Sequence, residues 1–173
     1  TGSREGTDRQ QVMRWAGIPE SRTVAECYSF EPPVSPHLAA ASAGMSIELG
    51  HIRLPDVASP QLIIEGAGGV MVPINDTETM RDLIVHLGAP VVIAARTALG
   101  TINHTLLTVQ ALRAAGVRIK GVVMIGDENG ENERAIERYG AVPIAGRIPL
   151  LSCICYKNLM QVYEKDFDRE IFS

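Results

Sequence analysis

Glu65 stands at the end of the apolar run Leu62-Ile63-Ile64 and is followed directly by Gly66-Ala67-Gly68-Gly69. A carboxylate there suits a magnesium ion shared with nucleotide phosphates, because Mg2+ takes hard oxygen donors and is usually held through one or two carboxylates. The glycines let backbone N–H groups approach an anion closely. The same pattern also describes a tight turn whose glutamate caps a helix or faces water. A second block, Leu99-Gly100-Thr101-Ile102-Asn103-His104, follows an apolar run and opens a helix. The open N–H groups and dipole of a helix start make an anion site, to which Thr101 and Asn103 add side-chain hydrogen bonds. An ordinary N-cap by Thr101 is the plainer account, and His104 reads as a surface or packing histidine.

Four further groups are chemically suggestive. Gly126-Asp127-Glu128-Asn129 follows the run Ile119–Ile125 and offers polar groups to a base or sugar, or simply caps the next helix. Arg147-Ile148-Pro149-Leu150-Leu151 forms an apolar turn able to wall a pocket. Asp8 follows a glycine-containing start and reads, on spacing alone, as a helix N-cap, with a metal ligand as the alternative. Cys153-Ile154-Cys155 is expected to hold its thiols on opposite sides of an extended segment as packing residues. With no Cys/His cluster nearby in sequence, that pair does not read as a zinc site.

These residues need elements to position them. The runs at 62–64, 91–95 and 119–125, with a weaker one at 142–144, are continuous rather than alternating, the pattern of strands buried on both faces. Met80, Leu83, Ile84 and Leu87 fall at i, i+3, i+4 and i+7, predicting a helix capped by Asp76 or Thr77 and ended by Gly88. Ile102, Leu106 and Val109 predict a second helix ended by Gly116. Ala135, Ile136 and Tyr139 predict a third ended by Gly140, and Leu159, Val162, Tyr163 and Phe167 a last one. Strand-helix alternation implies an α/β fold with a mostly parallel sheet and helices on both faces. Ligands then bind beyond the carboxyl ends of the strands. Before this pattern lie a short helix from Asp8 to Trp15, breaks at Gly17-Ile18-Pro19 and Glu31-Pro32-Pro33-Val34-Ser35-Pro36, and a helix from Ser35 ended by Gly44. The proline-rich stretch reads as a long functional loop rather than a linker, so the 173 residues read as a single domain.

Composition narrows the class. The chain is 46% hydrophobic and 21% charged, with a formal charge of −4, which excludes a disordered tail and gives no global attraction to nucleic acid or anionic membrane. No apolar run approaches the ~20 residues of a membrane-spanning helix, and no secretion leader is visible. Three cysteines, an odd and sparse count, argue against a disulfide scaffold and suit a reducing cytoplasm.

Together these segments resemble dethiobiotin synthases, from Thr1 to about Leu151. The resemblance is carried by Ile63-Ile64-Glu65-Gly66-Ala67-Gly68-Gly69, by Leu99-Gly100-Thr101-Ile102-Asn103-His104-Thr105-Leu106-Leu107-Thr108, by Arg147-Ile148-Pro149 and by the Ser35-Pro36-His37 loop. It implies a homodimer of the phosphate-loop NTPase class. It implies carboxylation of 7,8-diaminononanoate by CO2 or bicarbonate, phosphorylation of the carbamate by ATP, and ring closure by the second amine. By the same resemblance Asp8 and Glu65 match magnesium ligands beside the ATP phosphates, and Glu65, Gly66, Ala67 and Gly68 line the nucleotide and substrate side. Thr1 matches a hydroxyl residue at the diamine or its carbamate. Gly100, Thr101, Ile102 and Asn103 present a helix start to the substrate carboxylate of the partner subunit. Ile125 and Gly126, with Pro149, Leu150 and Leu151, border the adenine.

Two departures stand out. The family's phosphate loop and catalytic lysines have no counterpart in these 173 residues, which contain no Gly-Lys-Ser or Gly-Lys-Thr. The expectation is of a sequence that lacks the family's N-terminal segment and first strand, and that does not form dethiobiotin by itself. Ile125 also stands where some members have an adenine-binding asparagine, with Asn129 near enough to substitute. Two alternatives differ in chemistry. One is a related amide ligase of the cobyrinic acid diamide synthase group, against which the Leu-Gly-Thr-Ile-Asn-His block counts. The other is a non-catalytic chain that only dimerises.

Overall fold

The computed structural model describes residues 7–57, 59 and 61–172. They divide into two compact units, Thr1–Gly88 and Ala89–Ser173.

In the first unit, helix α1 (Asp8–Ala16) starts at Thr7, which accepts from the Gln10 N–H while the Gln10 side chain accepts from the Thr7 N–H. This reciprocal box meets two of the helix's open donors. Asp8 is therefore not the cap expected of it; it sits in the first turn, where its charge suits the helix dipole. Helix α2 (Pro36–Ser42) follows the proline-rich stretch, with proline at its first position, where a missing N–H costs nothing. Helix α3 (Met80–Leu87) is capped by Thr79 with Asp82, not by Asp76 or Thr77. Those two residues belong instead to a turn closed by Asn75, whose Oδ1 accepts from the N–H groups of Thr77 and Glu78. The unit's apolar cluster is Leu49, Ile74 and Met80, with Ile52, Leu83 and Ile84 packed against it.

The run at 62–64 is not a strand. It is coil, and Ile63 is 95% exposed. A strand needs a neighbour for its N–H and C=O groups, and none of the described residues pairs with these. The apolar pattern registered the side chains but not the absence of a pairing edge.

The second unit has the expected alternation: β1 (Val91–Arg96), α4 (Thr101–Ala114), β2 (Ile119–Ile125), α5 (Gly130–Gly140), β3 (Ile144–Ile148) and α6 (Tyr156–Asp166). The strands pair in parallel in the order β1-β2-β3. Val122 and Met124 are fully buried, as are Leu112 and Ile136 from the helices. Helices α4 and α5 pack on one another, and α6 packs on β3.

Two details differ from the pattern read in the sequence. The last strand begins at Ile144 rather than Val142, since Pro143 has no N–H to give a ladder; its carbonyl still accepts from Val122. Gly140 does not make the left-handed turn after α5; Ala141 does, at φ 43°. Gly140 is needed for closeness instead, because a Cβ there would come within 3.1 Å of both Leu106 and Val142.

Candidate functional site

The three strands end together. The Thr97 N–H donates to the Ile125 carbonyl (3.0 Å) and the Gly126 N–H to the Ile148 carbonyl (2.9 Å). These bonds align the carboxyl ends into one rim, where an open parallel sheet binds ligands. Gly126 has φ 124° and its missing Cβ would collide with Thr97 Oγ1, so only glycine fits this close approach. Pro149, Leu150 and Leu151 continue from the rim as coil, with Leu150 77% exposed. Ile125 and Gly126 thus lie at the same end of the sheet as the Pro149-Leu150-Leu151 turn.

On that rim β1 leads into α4. Gly100 is the capping residue, at φ 94° with no side-chain bond to the helix, so Thr101 is not the cap. Thr101 is the first helical residue. It is buried, and its Oγ1 has no hydrogen-bond partner. Its N–H is taken by the Ala98 carbonyl (3.1 Å) and that of His104 by the Gly100 carbonyl (3.0 Å). The N–H groups of Ile102 and Asn103 fall in the part of the first turn that a helix leaves without intrahelical acceptors. A glycine cap adds no side chain in front of them, and Asn103 is exposed. A helix start of this kind favours a negative charge in front of it. His104 is exposed and folds toward Gly100, where a Cβ would meet its ring at 3.7 Å.

Asn129 caps α5: its Oδ1 accepts from the Asn132 N–H (3.1 Å). The helix cap therefore takes one of the two lone pairs of that oxygen. Sequence reasoning passed over Arg147 as a separate residue. It donates to Glu133 of α5 through Nε (2.9 Å) and Nη2 (2.6 Å), with Glu128 3.7 Å away. The Glu133 hydrogen bonds hold its pKa above the usual guanidinium value. This pair fixes β3 to α5 directly before the Pro149 turn. An arginine inside an otherwise apolar strand was the signal for it.

In the first unit Glu65 is exposed and precedes the Gly66–Gly69 turn in coil. Gly68 has φ 87°, which a side chain would strain, and a Cβ there would come within 3.1 Å of Val72 Cγ2. At Gly66 a Cβ would come within 3.1 Å of Met80 Sδ. Both glycines keep the backbone after Glu65 close to the element behind it. The chain then folds back: the Met80 N–H donates to the Val72 carbonyl (2.9 Å) and the Arg81 N–H to that of Val70 (2.7 Å). Asn75 was missed by sequence reasoning. Its Nδ2 donates to the Ile47 carbonyl (2.9 Å) and to Glu78 (2.6 Å), tying this return to the 46–50 segment. An Asn-Asp pair between two apolar segments is the turn signal that marked it.

Asp8 and Glu65 carry exposed carboxylates, and neither is paired with a cation among the described residues. Among the described residues no group of three or more His, Cys, Asp or Glu side chains gathers to hold a metal ion. Each of the two carboxylates is a hard oxygen donor, the ligand type that Mg2+ takes and that zinc sites use less than nitrogen and sulfur. Thr1 lies outside the described residues. Cys153 and Cys155 correct the sequence reading: Cys153 is exposed and Cys155 half-exposed, so neither is a buried packing residue. No helix among the described residues is long and apolar enough to cross a membrane.

A family model described as an AAA domain matches residues 1–154. The chain is 44% identical over 171 residues to the ATP-dependent dethiobiotin synthetase BioD of Rhodopseudomonas palustris strain HaA2, covering 99% of this chain and 80% of that protein. It is likewise 44% identical to the protein of that name from Novosphingobium aromaticivorans, over 99% of this chain and 82% of the relative. To its namesake from Agrobacterium fabrum it is 43% identical, over 97% and 79%.

Proposed function

The chain belongs to the ATP-dependent dethiobiotin synthetase family, and from that premise we propose that it serves biotin synthesis by closing the ureido ring of dethiobiotin. In this reading 7,8-diaminononanoate is carboxylated to a carbamate, ATP phosphorylates the carbamate, and the second amine displaces phosphate to close the ring. The observation that carries it is the 44% identity over 99% of the chain, an alignment that spans the Glu65 turn and the start of α4 alike. Residues 1–173 are read as one domain of that family.

Asp8 and Glu65 would hold magnesium, a role open to carboxylates that face solvent. When bound, that ion offsets phosphate charge and aligns the transferred phosphoryl group. Glu65, Gly66, Ala67 and Gly68 would line the nucleotide and substrate, the glycines allowing backbone N–H groups to come close. Thr1 would contact the diamine or its carbamate. Gly100, Thr101, Ile102 and Asn103 would receive the substrate carboxylate of the partner subunit in a homodimer, supported by the glycine-capped helix start. Ile125, Gly126, Pro149, Leu150 and Leu151 would border the adenine through apolar contact, with selectivity for the base resting on backbone groups. Three free cysteines are in keeping with work in the cytoplasm.

The test uses the protein expressed from its complete gene, with ATP, Mg2+, bicarbonate and the diamine. Dethiobiotin detected by mass spectrometry, in step with ADP release and lost when any one component is omitted, is the expected result. ADP release without dethiobiotin, at any diamine concentration, would overturn the reading.

A further inference from the structure

Two loops leave the strand rim side by side, residues 126–129 after β2 and residues 149–151 after β3. In the proposed function the adenine lies between them. Neither loop is held by burial along its length: Pro149 and Leu150 are exposed coil, and Asp127, Glu128 and Asn129 are exposed too. Segments with few buried contacts open easily, and ordering them around a ligand subtracts from its affinity. Two loops that grip a base therefore need a brace behind them.

One side chain reaches the root of both. Arg147 lies two residues before Pro149, and its ladder partner is Met124, two residues before Gly126. Its Nε and Nη2 donate to the two oxygens of Glu133, in the first turn of α5, at 2.9 and 2.6 Å. Its Nη1 lies 3.7 Å from Glu128, inside the 126–129 loop. The Arg147 and Glu133 side chains are only 25% and 12% exposed, against 75% for Glu128. The fork is thus withdrawn from water, while the third nitrogen reaches out to the loop. On the backbone side, the bond from the Gly126 N–H to the Ile148 carbonyl (2.9 Å) joins the same two strand ends. Two parallel bonds from a planar guanidinium fix an angle as well as a distance, which the point charge of a lysine does not. Net stability is a poor reason for such a pair, since apolar residues of similar volume often serve a fold as well or better. Fixed geometry is what it adds.

We propose that Arg147 is a positioning residue for the nucleotide base. Through Glu133 and Glu128 it holds the 126–129 loop and the 149–151 turn at the separation that an adenine fills, and it touches no nucleotide atom itself. This rests on the reading that both loops border the adenine. In that reading the phosphates and the diamine are held elsewhere, at the Glu65 turn and the α4 start. Arg147 therefore acts on nucleotide affinity and not on the transfer step.

The test compares the protein expressed from its complete gene with its Arg147→Lys and Glu133→Asp variants, each of which keeps its charge and breaks the fork. The KM for ATP should rise about tenfold, the loss of roughly one hydrogen bond to a charged group. The kcat at saturating ATP should stay within about twofold and the KM for the diamine should not change, the signature of lost binding rather than of a lost transition-state contact. Loosened packing alone would move all three. Glu128→Gln lies at the surface and folds whatever the other two do; it should raise the KM for ATP about threefold, as for an exposed ion pair. An unchanged KM for ATP in Glu128→Gln, or a kcat or diamine KM that worsens as much as the KM for ATP in the fork variants, would overturn the proposal while dethiobiotin formation by the unsubstituted protein stands. An unsubstituted protein that forms no dethiobiotin would overturn it together with the function on which it rests.

Discussion

Arg147 of β3 holds Glu133 of α5 by two parallel hydrogen bonds, at 2.9 and 2.6 Å, with both side chains largely withdrawn from solvent. Such a pair gains from its fork geometry, and its rupture leaves the other charge poorly solvated. Glu133→Ala should destabilise the fold by about 1–3 kcal/mol. Glu128→Ala, whose carboxylate is exposed and 3.7 Å from Arg147, should cost less than about 1 kcal/mol. Urea unfolding of the two variants in parallel checks this; equal losses would mean that the geometry of the fork contributes nothing.

The capping box of α3 gives the fold a dependence on pH. The Thr79 hydroxyl, then the Thr79 N–H, hold the Asp82 carboxyl below its ordinary value, with Arg81 adding a smaller effect and burial opposing. A group whose folded pKa is depressed contributes stability that is complete above its unfolded pKa and is lost as pH falls through the folded value. Thr79→Ala should therefore lower the melting temperature at neutral pH. The gap to the unsubstituted protein should narrow as pH drops below the usual carboxylate range. A gap constant with pH would show that Asp82 does not titrate with the cap.

Glu65→Gln preserves volume and removes the charge proposed to hold the ion. In the protein from its complete gene, turnover should fall by orders of magnitude. The far-ultraviolet circular dichroism and melting temperature should be unchanged, because Glu65 is exposed and carries no structural bond among the described residues. Turnover within a factor of a few of the original would remove Glu65 from the site.

If the α4 start serves the neighbouring subunit, sites are built from both chains. Inactive Glu65→Gln and Asn103→Ala proteins, mixed as subunits, should then regain activity, because each heterodimer contains one site with both residues intact. Mixtures no more active than their components, in protein shown to have exchanged subunits, would count against a shared site.

The sequence by itself determined the local features. Periodicity marked α3, α4, α5 and α6, because a buried helical face must repeat about every 3.6 residues. Continuous apolar runs marked β1 and β2, because a strand covered on both faces has no polar side. Those signals, with the Glu65 and Gly100 blocks, were enough for the resemblance that 44% identity over 99% of the chain supports. Tertiary structure decided what depends on partners distant in sequence. Residues 62–64 look like β1 as a string, yet remain coil because pairing requires a second backbone. Gly140 was expected in a turn and was needed for contact with Leu106. Asn129 caps α5 through its side-chain oxygen. Arg147 found Glu133 fourteen residues away across the α5–β3 connection. Hydrophobic pattern records which side chains avoid water; which backbone, carboxylate or ring each one meets is set only when the chain folds back on itself.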